Sequence, residues 1–159
     1  MPVLRPEDLY HTGIVVPELD RAMADLARLA GYRWMRPLAV ELDVWSPAGP
    51  GRVALRFAYS LHPPYLELVT EVPGTAWAAA PGNAVHHVGY WVDDIAAASA
   101  ALADDDRPLE VCGGTDPASP ATFAYHRGPD GIRIELVDRT VMGDFGAFLA
   151  ANGEATPAG

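Results

Sequence analysis

Apolar positions along the chain follow two rhythms in turn. Residues Ile14, Val15 and Val16, and later the run 88–92, are short and rich in β-branched and aromatic side chains, which suits strands. After each run the spacing changes to threes and fours. Leu19, Met23, Leu26 and Ala30 fall on one helical face, and Gly31 supplies a stop. Ile95, Ala98, Ser99 and Leu102 make a second stripe, with Asp93 or Asp94 as its N-cap. Three shorter strands follow each helix, at 39–45, 53–59 and 65–69 and then at 109–111, 122–126 and 132–137. The stretches 47–51 (Pro-Ala-Gly-Pro-Gly) and 128–131 (Gly-Pro-Asp-Gly) are turn chemistry. From Gly143 onward Phe145, Phe148 and Leu149 predict a short helix, and a frayed end is expected from Glu154.

The order strand, helix, three strands thus occurs twice, and the residues repeat with it. His11-Thr12-Gly13 recurs 76 positions later as His87-Val88-Gly89, and Leu19, Ala22 and Leu26 meet Ile95, Ala98 and Leu102 at the same shift. Phe57-Ala58-Tyr59 recurs as Phe123-Ala124-Tyr125. Leu66-Glu67-Leu68-Val69 recurs as Ile134-Glu135-Leu136-Val137, now at a shift of 68, because the first half has longer loops. The expectation is one domain over 1–159. It holds a βαβββ module at 8–75, a second at 84–140 and a tail at 141–159. The fold class is α+β: two tandem βαβββ modules forming a curved mixed sheet around a metal-containing cleft, with helices outside.

Composition narrows the partners. The 159 residues include 21 acidic and 11 basic side chains, for a net charge of −10 and a pI near 4.7. That charge disfavours nucleic acid and anionic lipid, although a bound cation can reverse the sign inside a cleft. The first ten residues read as no signal peptide, and no run has the length to span a bilayer. Cys112 is the only cysteine, so no intrachain disulfide forms, and cytoplasmic residence is the default.

Candidate chemistry sits at the repeated positions. His11 and His87 are equivalent on the first strands, and Glu67 and Glu135 on the last. Strand side chains alternate, so each Glu faces away from its leucine and isoleucine neighbours. A carboxylate held in such an apolar frame is costly unless it is paired, hydrogen-bonded or metal-bound. A lone strand His or Glu is more often structural or exposed; both recurring at matched places reverses that balance. Two imidazoles and two carboxylates suit one divalent metal ion such as Zn, Ni, Co, Mn or Fe.

The openings His11-Thr12-Gly13-Ile14 and His87-Val88-Gly89-Tyr90, the segment Val92-Asp93-Asp94-Ile95 and the close Pro129 to Leu136 carry a resemblance. Over about residues 9–140 the chain resembles the vicinal oxygen chelate superfamily of glyoxalases, methylmalonyl-CoA epimerases, extradiol dioxygenases and bleomycin-type resistance proteins. The resemblance implies paired βαβββ modules and a metal held by His11, Glu67, His87 and Glu135. It also implies an isomerase, epimerase or lyase that stabilises an enolate or enediolate on a small carbonyl, acyl-thioester or natural-product substrate, with Glu67 or Glu135 as the base. The local wording is nearest the epimerase-like group, but residues 46–51 lack the extra acid those enzymes carry there, and Glu41 and Asp43 lie further upstream. An Fe(II) extradiol dioxygenase and a metal-free ligand-sequestering protein are the alternatives. A small-molecule substrate and a homodimer are expected.

Further residues are candidate pocket walls. Tyr59, Trp91 and Tyr125 either line the cleft or serve as core aromatics. One of His126 and Arg127 meets a substrate carboxylate or phosphate, or else both mark a solvated strand end, the reading favoured here. His86 points away from His87, His62 reads as a loop residue, and Trp34, Trp45 and Trp77 read as structural. The acidic run 104–106 reads as a solvated helix terminus.

Overall fold

The computed structural model describes residues 2–79, 82 and 85–156, so the start of the second module at residue 84 lies outside the described residues. After a 3-10 turn (Pro6–Asp8), the first module runs β1 (Leu9–Val16), α1 (Leu19–Ala30), β2 (Leu38–Ser46), β3 (Gly49–Tyr59) and β4 (Leu66–Thr70). The second runs β5 (His87–Val92), α2 (Ile95–Asp104), β6 (Leu109–Gly113), β7 (Phe123–Arg127) and β8 (Arg133–Asp138). Two helices follow, α3 (Arg139–Met142) and α4 (Phe145–Asn152). The strand–helix–three-strand order is therefore present twice, in a mixed arrangement of parallel and antiparallel pairs. No helix among the described residues is long and apolar enough to cross a membrane.

The chain divides into two compact units that do not follow the repeat. One comprises Met1–Tyr10, Glu41–Val53 and His87–Met142; the other comprises His11–Val40, Ala54–His86 and Gly143–Gly159.

In the first of these units, β5 and β8 run parallel, and β8, β7 and β6 follow as antiparallel neighbours. The end of β2 adds beside β6, with Trp45 opposite Cys112. Helix α2 begins at Asp94, whose carboxylate accepts from the Ala97 backbone N–H at 2.9 Å. Its Ile95 and Leu102 pack with Val92, Cys112, Ala124 and Leu136 into one core. Leu136 therefore points to the helix layer, as its position beside Glu135 requires. Ser99 is the buried polar exception in that stripe.

In the other unit, β1 and β4 run parallel and β3 lies antiparallel to β4. Helix α1 buries Leu19 and Met23 and stops at Gly31, which takes the left-handed φ of 73°. Trp34, buried, donates its indole N–H to the Met23 carbonyl.

Two expectations need correction. Strand β3 starts at Gly49, so only Pro47 and Ala48 form the turn of its hairpin with β2. Gly49, at φ 108°, absorbs the reversal that the whole Pro/Gly run seemed to require. The end of the chain is also less free than expected. Glu154 bridges to Met35 and ion-pairs with Arg33, and the Ala155 N–H donates to the Trp34 carbonyl. Residues 157–159 of the expected frayed tail lie outside the described residues.

Candidate metal centre

Each unit builds one His–Glu pair by the same device. In the parallel pairing of β1 with β4, Gly13 lies opposite Glu67; in that of β5 with β8, Gly89 lies opposite Glu135. The histidine two residues before each glycine shares its face. Glycine places no side chain there, so the imidazole and the carboxylate can meet over the gap. His11 Nε2 stands 3.3 Å from a Glu67 carboxylate oxygen, and His87 Nε2 stands 3.3 Å from one of Glu135. Both histidine side chains are fully buried, and each glutamate is 7% exposed.

That spacing bears on what the pairs can do. A charge-assisted hydrogen bond between imidazolium and carboxylate closes to about 2.7–2.9 Å. Two donors each about 2.0–2.2 Å from a tetrahedral cation stand roughly 3.3–3.6 Å apart. The observed 3.3 Å therefore fits two ligands of one cation better than a strong hydrogen bond. His11, Glu67, His87 and Glu135 each offer one ligand atom, and a buried set of this composition is able to hold a metal ion.

A tyrosine stands at each pair. Tyr59 lies directly across from Glu67 on β3, and its ring meets that of His11 edge-on, with centroids 5.4 Å apart. Tyr125 lies across from Glu135 on β7, with its ring tilted against His87 at 5.0 Å. The two tyrosines are thus on the carboxylate faces of their sheets. Trp91 stacks on Tyr10 at 3.7 Å and lines a cavity of about 330 Å³ with Arg5, Asp8, Asp93 and Arg139. In that cavity Arg5 holds the Asp8 carboxyl below its usual range, with help from Arg139. Arg127 is exposed at the end of β7, opposite Arg133.

His126 is not a solvated strand end. It is 0% exposed, 2.8 Å from the Ser99 hydroxyl, with its Nδ1 donating to the Arg107 carbonyl at 2.7 Å. Burial pushes its pKa down, and the Arg107 carbonyl partly opposes this. The cause is alternation: with Tyr125 on the carboxylate face, His126 must turn towards α2. Ser99 was the available signal, a hydroxyl in an otherwise apolar stripe that needs a buried partner. His86 sits close to the Ala76 carbonyl at 2.6 Å and is likewise buried. Glu41, weighed as an upstream acid, ion-pairs with Arg52 at the exposed hairpin.

The aromatic residues of α4 join the ring cluster at Tyr59, which the sequence did not signal. Phe145 stands edge-on to Tyr59 at 5.2 Å and to Tyr65 at 5.0 Å, and Phe148 stands edge-on to Tyr59 at 6.3 Å. The helix lies outside the repeat, so no internal match pointed to it.

Comparison with known proteins bears on family and fold. The family model of the Glyoxalase/Bleomycin resistance protein/Dioxygenase superfamily matches residues 10–125. No curated protein matches the chain. A solved methylmalonyl-CoA epimerase, in complex with methylmalonyl-CoA and ammonium, is 19% identical with a TM-score of 0.58, over 82% of this chain and 93% of the other. A Streptomyces coelicolor methylmalonyl-CoA epimerase variant with 2-nitronate-propionyl-CoA is also 19% identical, TM-score 0.58, over 82% and 96%. A hypothetical protein from Bacillus halodurans C-125 is 14% identical, TM-score 0.55, over 82% and 92%. At these identities the likeness is one of fold.

Proposed function

The chain belongs to the Glyoxalase/Bleomycin resistance protein/Dioxygenase superfamily, and from that premise we propose that it is a divalent-metal-dependent isomerase, epimerase or lyase. Its substrate in this reading is a small carbonyl, acyl-thioester or natural-product molecule. His11, Glu67, His87 and Glu135 hold one cation, of the Zn, Ni, Co, Mn or Fe group. The observation that carries the reading is the duplicated His–Glu pair, buried and spaced at 3.3 Å in both copies. The acyl-thioester class is supported by solved epimerases of the same fold that hold CoA esters. A cytoplasmic homodimer completes the proposal, and the free Cys112 thiol suits a reducing compartment.

When bound, the cation supplies a Lewis acid that polarises a substrate carbonyl and stabilises the charge developing on it. The chain's own contribution is positional and protolytic. The two pairs present one carboxylate each, so Glu67 or Glu135 takes the proton from the carbon beside the carbonyl. In an epimerase or isomerase the proton then returns to carbon, and the second carboxylate is placed to deliver it. Burial keeps bulk water from competing for that proton. Tyr59 and Tyr125 flank the histidines and fix their ring planes.

The test is isotopic. Candidate carbonyl and acyl-thioester substrates are incubated with metal-loaded protein in D₂O. Deuterium should enter the carbon next to the carbonyl, and enzyme with both Glu67 and Glu135 changed to Gln should not catalyse the exchange. Turnover that consumes O₂ without incorporating solvent deuterium would establish the dioxygenase alternative instead. Tight binding without turnover, whatever metal is supplied, would leave a sequestering protein.

A further inference from the structure

The two half-sites share a tyrosine flanked by a phenylalanine two residues earlier. Tyr125 has Phe123 beside it at 5.6 Å, just as Tyr59 has Phe57 at 5.9 Å. Tyr59 also meets two rings from α4. Phe145 and Phe148 stack in near-parallel planes, 14° apart with centroids at 6.1 Å, and both present an edge geometry to Tyr59. Tyr65 meets Phe145 at 85°, closing the cluster. Four rings are thus linked to His11 through Tyr59 within one compact unit.

Helix α4 is fastened at both ends. Asp144 caps its start by accepting from the Ala147 N–H at 3.0 Å. Past its end, Arg36 donates to the Asn152 carbonyl at 2.7 Å, the Arg36 N–H donates to the Gly153 carbonyl, and Glu154 pairs with Arg33. Leu149 is buried, while Phe145, Phe148 and Tyr65 keep part of their surface accessible. A helix built only to fill the core would bury its phenylalanines; this one buries a leucine and leaves two rings half open. Aromatic faces and edges so arranged favour another planar group by a directional attraction added to area burial.

We propose that Phe145 and Phe148, joined to His11 through the Tyr59 ring, form a specificity-determining aromatic wall, selecting substrates that carry a planar apolar group near the oxygens offered to the cation. This inference rests on the metal-centred reading above, and it extends it by assigning substrate class to a helix outside the matched family span of residues 10–125.

The experiment compares two bidentate oxygen ligands on Co(II)-loaded protein by calorimetry. Acetohydroxamate reports the cation alone; benzohydroxamate adds one ring. The wild-type protein should prefer benzohydroxamate by roughly tenfold or more, the scale of a favourable ring contact. In the variant Phe145→Leu/Phe148→Leu, which keeps apolar volume, that preference should fall several-fold while acetohydroxamate affinity stays within about twofold. Equal affinities in the wild type, or a preference that survives in the variant, overturn the wall. A protein that takes up no Co(II) removes the functional reading, and the wall is then judged on metal-free protein with 2-naphthol. Saturable fluorescence quenching that the variant loses supports the wall; its absence in the wild type overturns it.

Discussion

Tyr59 stands directly opposite Glu67 across an antiparallel strand pair, so ring and carboxylate share one face of the sheet. The carboxylate belongs to a site that adds little to packing: Glu67 borders a glycine and a histidine, and its apolar neighbour Leu68 serves the core on the other face. Glu67→Ala should therefore abolish stoichiometric binding of Co(II) or Zn(II) in equilibrium dialysis while the apo protein melts within a few degrees of wild type. His87→Ala should behave alike. Full metal occupancy in the double variant His11→Ala/Glu135→Ala would refute the four-ligand set.

Gly89 is expected to matter for the same centre without touching a cation. It lies opposite Glu135 and on the face of His87, where any side chain would stand between them. Gly89→Val should weaken metal binding by at least the roughly 10–100-fold typical of disturbed ligand orientation, with the strand still formed, since valine is a good strand residue. Unchanged affinity in a competition titration against a chelator would show that the gap is not needed.

The buried His126 makes a pH prediction whose sign can be worked out. Burial depresses its folded pKa below the unfolded value of 6.5. Below 6.5 the unfolded chain therefore binds more protons, and stability falls as pH falls. Its contribution is complete above the unfolded pKa and is lost progressively below it. The carboxylates Asp8, Asp130 and Glu154 have lowered pKa values from 3.8, 3.8 and 4.5, so their losses begin only in more acidic solution. Urea denaturation should show stability declining between about pH 6.5 and 5. His126→Gln should flatten that decline relative to wild type; an unaltered slope would assign it elsewhere.

Two stability changes in the same unit should differ in size for a physical reason. Leu136 is fully buried between β8 and α2, so Leu136→Ala should cost about 2–5 kcal/mol through lost transfer energy and a cavity. Asp94→Ala removes one exposed cap bond and should cost about 1 kcal/mol. Chemical denaturation of both variants in metal-free buffer checks the order. A cap variant as damaged as the core variant would contradict it.

The features legible in the sequence were those written twice and those set by a single residue type. Gly31 and Asp94 end and begin their helices as their residue types require, and the His–Glu pairs follow from matched strand positions. What was hidden depends on partners far along the chain. The docking of Glu154 and Ala155 rests on Arg33 and Trp34, more than a hundred residues earlier. Burial of His126 rests on Ser99 and the Arg107 carbonyl, which local polarity does not reveal. Strand β3 runs through Pro50 and Gly51 because a hairpin tip tolerates residues that a central strand rejects. Phe145 and Phe148 had no repeat partner to set them apart from ordinary apolar residues.

The mismatch between repeat and compact unit has a consequence for synthesis on the ribosome. The unit holding His87 and Glu135 draws on Met1–Tyr10, Glu41–Val53 and His87–Met142, and the unit holding His11 and Glu67 needs Gly143–Gly159 as well. When the first module has left the exit tunnel, the unit holding His11 and Glu67 has its strands but lacks Gly143–Gly159 with α4, and the other unit has only Met1–Tyr10 and Glu41–Val53. Neither unit is complete until Met142 has emerged, unlike a tandem array whose leading domain closes while the next is translated. The segment Ile14-Val15-Val16 can meanwhile pair with Leu68-Val69-Thr70, its final neighbour on β4. Splitting the gene between the repeats would separate the two histidines onto fragments that each lack part of their own unit.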